Sequence, residues 1–218
     1  MREKFEQDLK RLQNEVYEFG LMAERAVHDS VEALRLQDLE RASILIAEDR
    51  VINDRRFTLE NEVLTLIATQ QPMAVDLRVL ASALELAAEL ERIADYAKGI
   101  ANIALAIGKE PHVNYPSDLA LMAEKACGML RRALEAFRRG DVELACAVPK
   151  EDSEVDSLYE KIYRDLVACV ITDPPCIDEA QHLTWAAHNL ERVADRVTNI
   201  CERVVWAATG RIEELTLP

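Results

Sequence analysis

The stretch Leu90-Glu-Arg-Ile-Ala-Asp95 decides how this chain is read, because it returns as Leu190-Glu-Arg-Val-Ala-Asp195, 100 residues later. Working outward, Leu21-Met-Ala-Glu-Arg-Ala26 returns as Leu121-Met-Ala-Glu-Lys-Ala126 and Ala33-Leu34 as Ala133-Leu134, at the same offset. Between them, Asp38, Glu48-Asp49, Thr69 and Pro72 return 103 residues later as Asp141, Glu151-Asp152, Thr172 and Pro175. The register shifts by three residues only twice. One shift falls between Leu34 and Asp38, where a turn is expected, and the other between Pro72 and Ala87. Self-similarity of this extent marks the chain as a duplication of one unit.

Each unit reads as three helices. In the first, they run from about Phe5 to Leu36, from an N-cap at Asp38 to about Ala68, and from an opening at or near Pro72 to Ile107. Leu86, Leu90, Ile93, Ala97, Ile100 and Ala104 keep the three-and-four spacing of an apolar helix stripe. The second unit predicts helices over Asp118 to Arg139, Asp141 to Ile171 and Pro174 to Ala208, with a kink where Pro149 interrupts the fifth. Gly108-Lys-Glu-Pro-His-Val-Asn-Tyr-Pro-Ser117 is the one obvious linker. The expected organisation is all-α: two tandem, pseudo-symmetric three-helix bundles over 1–108 and 118–218, joined by 109–117.

Composition agrees. With six Gly and seven Pro in 218 residues, turns are scarce and elements long. Aromatics make up only 5%, which argues against an all-β sandwich and against a nucleotide-binding α/β sheet. Half the residues are hydrophobic, which excludes disorder. The net charge of −14 repels phosphate backbones, so nucleic acid is not an expected partner. The longest stretch free of Asp, Glu, Lys and Arg, Val63 to Val75, is too short to span a bilayer, and the charged Met1-Arg-Glu-Lys4 is no signal peptide. The five cysteines are odd in number and form no CxxC, so they are expected to be small buried hydrophobes in a reducing compartment.

The chemistry lies in carboxylates four residues apart. Glu91 and Asp95, and again Glu191 and Asp195, share a helix face. At about 100° per residue they fall on a flank of the third and sixth helices, away from the apolar stripe. Asn102 joins that face in the first unit, His188 and Glu202 in the second. The preceding helices carry Asp152 and Asp156, whose counterparts are Asp49 and Asn53, with Asp54 alongside. Antiparallel neighbours can bring these pairs together. Like charges at this spacing repel, and a hard multivalent cation such as Mg²⁺, Mn²⁺, Ca²⁺ or oxidised iron removes the repulsion. The competing reading is a solvated acidic face, or one neutralised internally by Arg92 and Arg192. Recurrence at equivalent positions favours metal, with the second unit the more complete.

Other features carry less. Only His182 follows a glutamate, Glu179, at the Glu-x-x-His spacing, and a ferritin-like di-iron site needs two such motifs. His28 and His112 are isolated. Arg131-Arg132 and Arg138-Arg139 are expected on a solvated face. Walker, GxGxxG and GxSxG motifs are absent from the sequence.

Gln70-Gln-Pro-Met-Ala-Val-Asp-Leu-Arg78, followed by Leu90-Glu-Arg-Ile-Ala-Asp-Tyr-Ala-Lys-Gly-Ile-Ala101, and Leu190-Glu-Arg-Val-Ala-Asp-Arg-Val-Thr-Asn-Ile200 resemble the PhoU family of bacterial phosphate-transport and phosphate-regulon regulators, over nearly the whole chain. Ala94 and Ala194 stand where that family usually has glycine before the motif aspartate. The resemblance implies tandem three-helix bundles and metal, iron among the candidates, on the E/D-xxx-D motifs Glu91/Asp95, Glu191/Asp195 and Asp152/Asp156. The fourth motif is Asp49 with Asn53, a departure that puts the first site in doubt. It further implies a cytoplasmic, non-enzymatic adaptor without membrane insertion. Such an adaptor restrains the phosphate-starvation response by linking the ATPase subunit of the phosphate ABC transporter to a sensor histidine kinase, and the resemblance leaves room for a homodimer. A metal-dependent enzyme or a metal store using the same carboxylates is the alternative, and the adaptor is favoured because no nucleophile or general base stands beside the acids.

Overall fold

The computed structural model describes residues 2–215, and among them every regular element is helical. Helices α1 (Arg2–Leu36), α2 (Leu39–Gln70) and α3 (Val75–Ile107) form the first unit. Helices α4 (Ser117–Arg139), α5 (Val142–Ala147), α6 (Asp152–Thr172) and α7 (Ile177–Thr209) form the second. The fifth predicted helix is therefore two. Pro149 has no N–H, and its ring crowds the carbonyl four residues before it, so the kink becomes a short 3-10 turn over Val148–Glu151. Likewise α3 opens at Val75 rather than at Pro72, after two non-glycine residues of positive φ, Gln71 and Ala74. A second 3-10 turn over Pro174–Cys176 leads into α7.

The duplication is visible in the turns. Asp38 and Asp141 cap α2 and α5, their carboxylates accepting from the backbone N–H groups of Arg41 and Leu144 at 2.9 and 3.0 Å. Each also donates its own N–H to a carbonyl five residues back, Ala33 or Ala136, at 2.9 Å. The residue before each cap is left-handed: Gly140 in the second unit, Gln37 at φ 56° in the first. A side chain there costs about 1 kcal/mol that glycine avoids.

The two bundles stand in tandem, as expected, and pack on each other. α2 packs on α1 and α3, and α6 on α4 and α7, so these are outer helices. Between the units, α3 lies along α7 in the most extensive contact of the molecule, and α1 lies along α4. The buried residues form one continuous core through both units. The close approach of α3 to α7 is marked at Gly99, where a Cβ would meet Asn189 Nδ2 at 2.9 Å, and Arg192 lies over the Tyr96 ring. Polar bonds also cross the seam. Arg131 pairs with Glu24, Arg203 with Glu85, and Arg196 with Glu89. Ser82 Oγ donates to the Arg203 carbonyl at 3.2 Å. Arg131 is on the expected solvated face, 64% exposed, and reaches Glu24 across the seam from there, while Arg132 pairs with Glu151.

Gly20 sets the approach of α1 to α4. A Cβ there would meet Leu134 Cδ1 at 2.2 Å. Gly20→Val is expected to cost about 2 kcal/mol or more by overpacking. Gly128→Ala, where a Cβ meets nothing within 4 Å, is expected to add up to about 1 kcal/mol. Thermal unfolding followed by circular dichroism measures both. A tolerated Gly20→Val would mean that the units do not share this seam.

Candidate metal centre

The helix register places the two acidic sets on the outer grooves, α2 against α3 and α6 against α7. In both units the flank position follows from the core. Leu90 and Ile93, like Leu190 and Val193, point fully inward, which turns the neighbouring Glu91 and Asp95, and Glu191 and Asp195, toward the outer helix. From the outer helix, Asp49 or Asp152 meets them. The expected convergence is present in both units, but its charge balance is not the same.

In the first unit, protein cations fill the groove. Lys98 Nζ donates to Asp49 Oδ2 at 2.7 Å and lies 4.0 Å from Asp95 Oδ1. Asn53 Nδ2 donates to the same Asp49 oxygen at 3.2 Å. Arg56, paired with Glu60, lies 3.4 Å from Glu91. Burial raises the Glu91 carboxyl above its ordinary value, with Asp95 adding to the rise and Arg56 opposing it. Burial and then Asp49 raise Asp95, and Lys98 opposes. The hydrogen bond to Asp49 raises the Lys98 ammonium in return, so this lysine stays charged.

In the second unit those cations are missing. The counterpart of Lys98 is Thr198, and the counterpart of Arg56 is Tyr159. Asn53 becomes Asp156. Among the described residues no lysine or arginine pairs with Asp152 or Asp156, and Asp152 Oδ1 is buried without a hydrogen-bond partner, as is Asp49 Oδ1 in the first unit, so the two units differ in their cations and not in this oxygen. Thr198 Oγ1 is also buried and unpartnered. The remaining neighbours are peripheral: His188 Nδ1 lies 2.7 Å from Glu191, and Arg192 Nε lies 3.9 Å from Asp195. Asp152 is pushed up to about 6 by burial first, then by Asp156, Asp195 and Glu191. Burial, Glu191 and Asp195 raise Asp156 in the same direction. Four carboxylates thus act on one another with no internal cation at the centre.

These carboxylates are not drawn into one coordination shell. Among the described residues, no three His, Cys, Asp or Glu side chains are arranged to hold a metal ion. The all-oxygen donor set and the orphaned Asp152 oxygen fit a hard cation. The first unit, with Lys98 and Arg56 in place, does not.

Other sequence candidates resolve differently. The competing reading, neutralisation by Arg92 and Arg192, divides: Arg92 pairs with Glu89 at 3.1 Å, whereas Arg192 Nε lies 3.9 Å from Asp195. Glu202 accepts from the Leu215 N–H at 3.0 Å. Glu179, rather than joining His182, clasps the linker: it accepts from the backbone N–H groups of His112 and Val113 at 2.7 and 2.9 Å. His182 stacks edge-on against Trp185. Lys98, Arg56, Thr198 and Tyr159 were the residues the motif search passed over. The signal for them lay in the same repeat, read for its differences.

Raised Asp152 has a calculable sign. A carboxyl whose folded value lies above its unfolded value of 3.8 contributes stability fully below that pH, and loses it as pH rises through about 6. Without metal, Asp152→Asn is therefore expected to be more stable than the unaltered chain at pH 7. The gain is about 1 kcal/mol once screening of a partly exposed group is allowed for. The gap should close below about pH 4, where the unaltered carboxyl is itself neutral. Melting curves in chelator across this range read it, and a gap independent of pH would contradict the electrostatic cause.

The chain matches the "PhoU domain" family twice, over residues 16–104 and 119–204. It is 34% identical to a "Phosphate-specific transport system accessory protein PhoU homolog" of Clostridium acetobutylicum, covering 97% of each chain. It is 31% identical to "Phosphate-specific transport system accessory protein PhoU" of Escherichia coli K12, over 95% of this chain and 86% of that one. Among solved structures, it superposes on the phosphate transport system regulatory protein PhoU from Streptococcus pneumoniae with a TM-score of 0.89 at 26% identity, covering 96% of this chain and 99% of that one. PhoU from Pseudomonas aeruginosa gives 0.86 at 30% identity, covering 95% and 100%.

Proposed function

We propose, from the premise that this chain belongs to the PhoU family, that it is a non-enzymatic accessory protein of a phosphate transport system acting on the cytoplasmic side. It holds down the phosphate-starvation response when phosphate is plentiful, by linking the transporter's ATPase subunit to a sensor histidine kinase. The observation that carries this reading is similarity over nearly the full length to proteins named as accessory proteins of that system. The fold supports it physically. No helix among the described residues is long and apolar enough to cross a membrane. Two quasi-equivalent acidic grooves face outward from a shared core, which suits a protein that engages two partners. Charge of one sign on such grooves mainly sets association rate and specificity.

The second groove supplies the regulatory cation site in this reading. Asp152, Asp156, Glu191 and Asp195 would hold a hard divalent ion or iron, which neutralises their repulsion and draws α6 toward α7. Asp49, Glu91 and Asp95 use Lys98 and Arg56 for the same purpose and need no metal. Support for this division is that, among the described residues, no lysine or arginine pairs with Asp152 or Asp156 on one side, against the 2.7 Å Lys98–Asp49 contact on the other.

Deletion of the gene is expected to release phosphate-starvation genes from repression in phosphate-rich medium. Unchanged repression would overturn the regulatory reading. In the purified chain, Asp156→Asn and Asp195→Asn are each expected to weaken Mn²⁺ binding by about tenfold or more while helicity is kept. Calorimetric titration against the unaltered chain measures it, and equal binding by all three would remove the metal from this groove.

A further inference from the structure

Five thiols are free, and two of them touch. Cys169 Sγ lies 3.5 Å from Cys176 Sγ. Cys169 sits in the last turn of α6, and Cys176 closes the 3-10 turn that leads into α7. Neither position wanders relative to the other, because the backbone between them is hydrogen-bonded. The Asp173 N–H donates to the Cys169 carbonyl at 2.8 Å, and the Cys176 N–H to the Asp173 carbonyl at 3.1 Å. Cys169 is partly exposed, whereas Cys176 is 2% exposed. The duplication offers no such pair in the first unit, where the counterparts are Leu66 and Met73.

We propose that Cys169 and Cys176 form a thiol–disulfide exchange site that takes low-molecular-weight disulfides and closes as an intramolecular disulfide across the α6–α7 turn. The asymmetry of exposure assigns the roles. The Cys169 thiolate attacks one sulfur of the small disulfide, expelling one thiolate that takes up a proton and leaving a mixed disulfide on Cys169. The Cys176 thiolate then attacks the Cys169 sulfur and expels the second small thiol. In balance, protein dithiol plus one small disulfide gives protein disulfide plus two small thiols. Burial and the neighbouring Cys169 thiol raise Cys176, which makes closure slow rather than catalytic and leaves the pair reduced in a thiol-rich compartment. Of the other three, Cys127 donates to the Glu24 carbonyl at 3.8 Å, and Cys201 is fully buried. A staple closed here fixes the turn joining the two helices that carry the second acidic groove.

The test is incubation of the native full-length chain with oxidised glutathione, followed by intact-mass and peptide analysis. The expected product has lost two hydrogens, carries no glutathione, and contains a Cys169–Cys176 cross-linked peptide. Its melting temperature should rise by about 5 °C, and dithiothreitol should reverse the rise. Cys176→Ser is expected to stop at a stable glutathione adduct on Cys169, and Cys169→Ser to stay unmodified. Modification of Cys127, Cys146 or Cys201 in preference to the pair, or a glutathione adduct in the unaltered chain that does not close, would overturn the assignment.

Discussion

The packing of α3 along α7 is the contact on which the rest of the molecule depends. It joins two three-helix units into one continuous core. Close packing gains dispersion contacts over a long seam and leaves little room for adjustment. With α3 and α7 committed inward on two faces each, only a narrow flank of either helix remains. That flank is where Glu91, Asp95, Glu191 and Asp195 stand, against α2 or α6. The acidic grooves are thus a consequence of burying the seam, and their carboxylates are held too close to the core to be fully hydrated.

Crowded carboxylates need positive charge, and the two copies obtain it differently. In the first, Lys98 and Arg56 reach in from α3 and α2. In the second, Thr198 and Tyr159 take those places and Asp156 adds a further negative charge. Duplication supplied two equal scaffolds, and three positions separate a groove closed by its own side chains from one whose charge is unbalanced. The burial-driven rise of Asp152 to about 6 expresses that imbalance as proton affinity. A cation in the groove competes with that proton for the same oxygens.

Much of this was legible in the sequence. The long helices, the Asp38 and Asp141 caps and the flank position of the acidic motifs all follow from periodicity and local hydrogen bonding, which act over a few residues. The seam was not legible, because a helix face that meets the other unit through Glu85, Glu89 and Gly99 has no hydrophobic peak to set it apart from a water-facing one. Pro149 announced a disturbance but not whether the helix would bend or break. Within the groove, the acids stand in the motif and the cations do not: Lys98 lies outside it, and Arg92, inside it, turns toward Glu89 instead. Glu179 stands three residues before His182, a spacing plainer in the sequence than its contact with the linker.

The central claim is that protein cations, rather than the carboxylates alone, decide which groove can take a metal ion. Mn²⁺ titration of the variant Asn53→Asp, Arg56→Tyr, Lys98→Thr, which gives the first groove the residues of the second, tests it most directly. The account predicts one binding event in the unaltered chain and a second, comparable event in the variant. One event in both, or two in both, would contradict it.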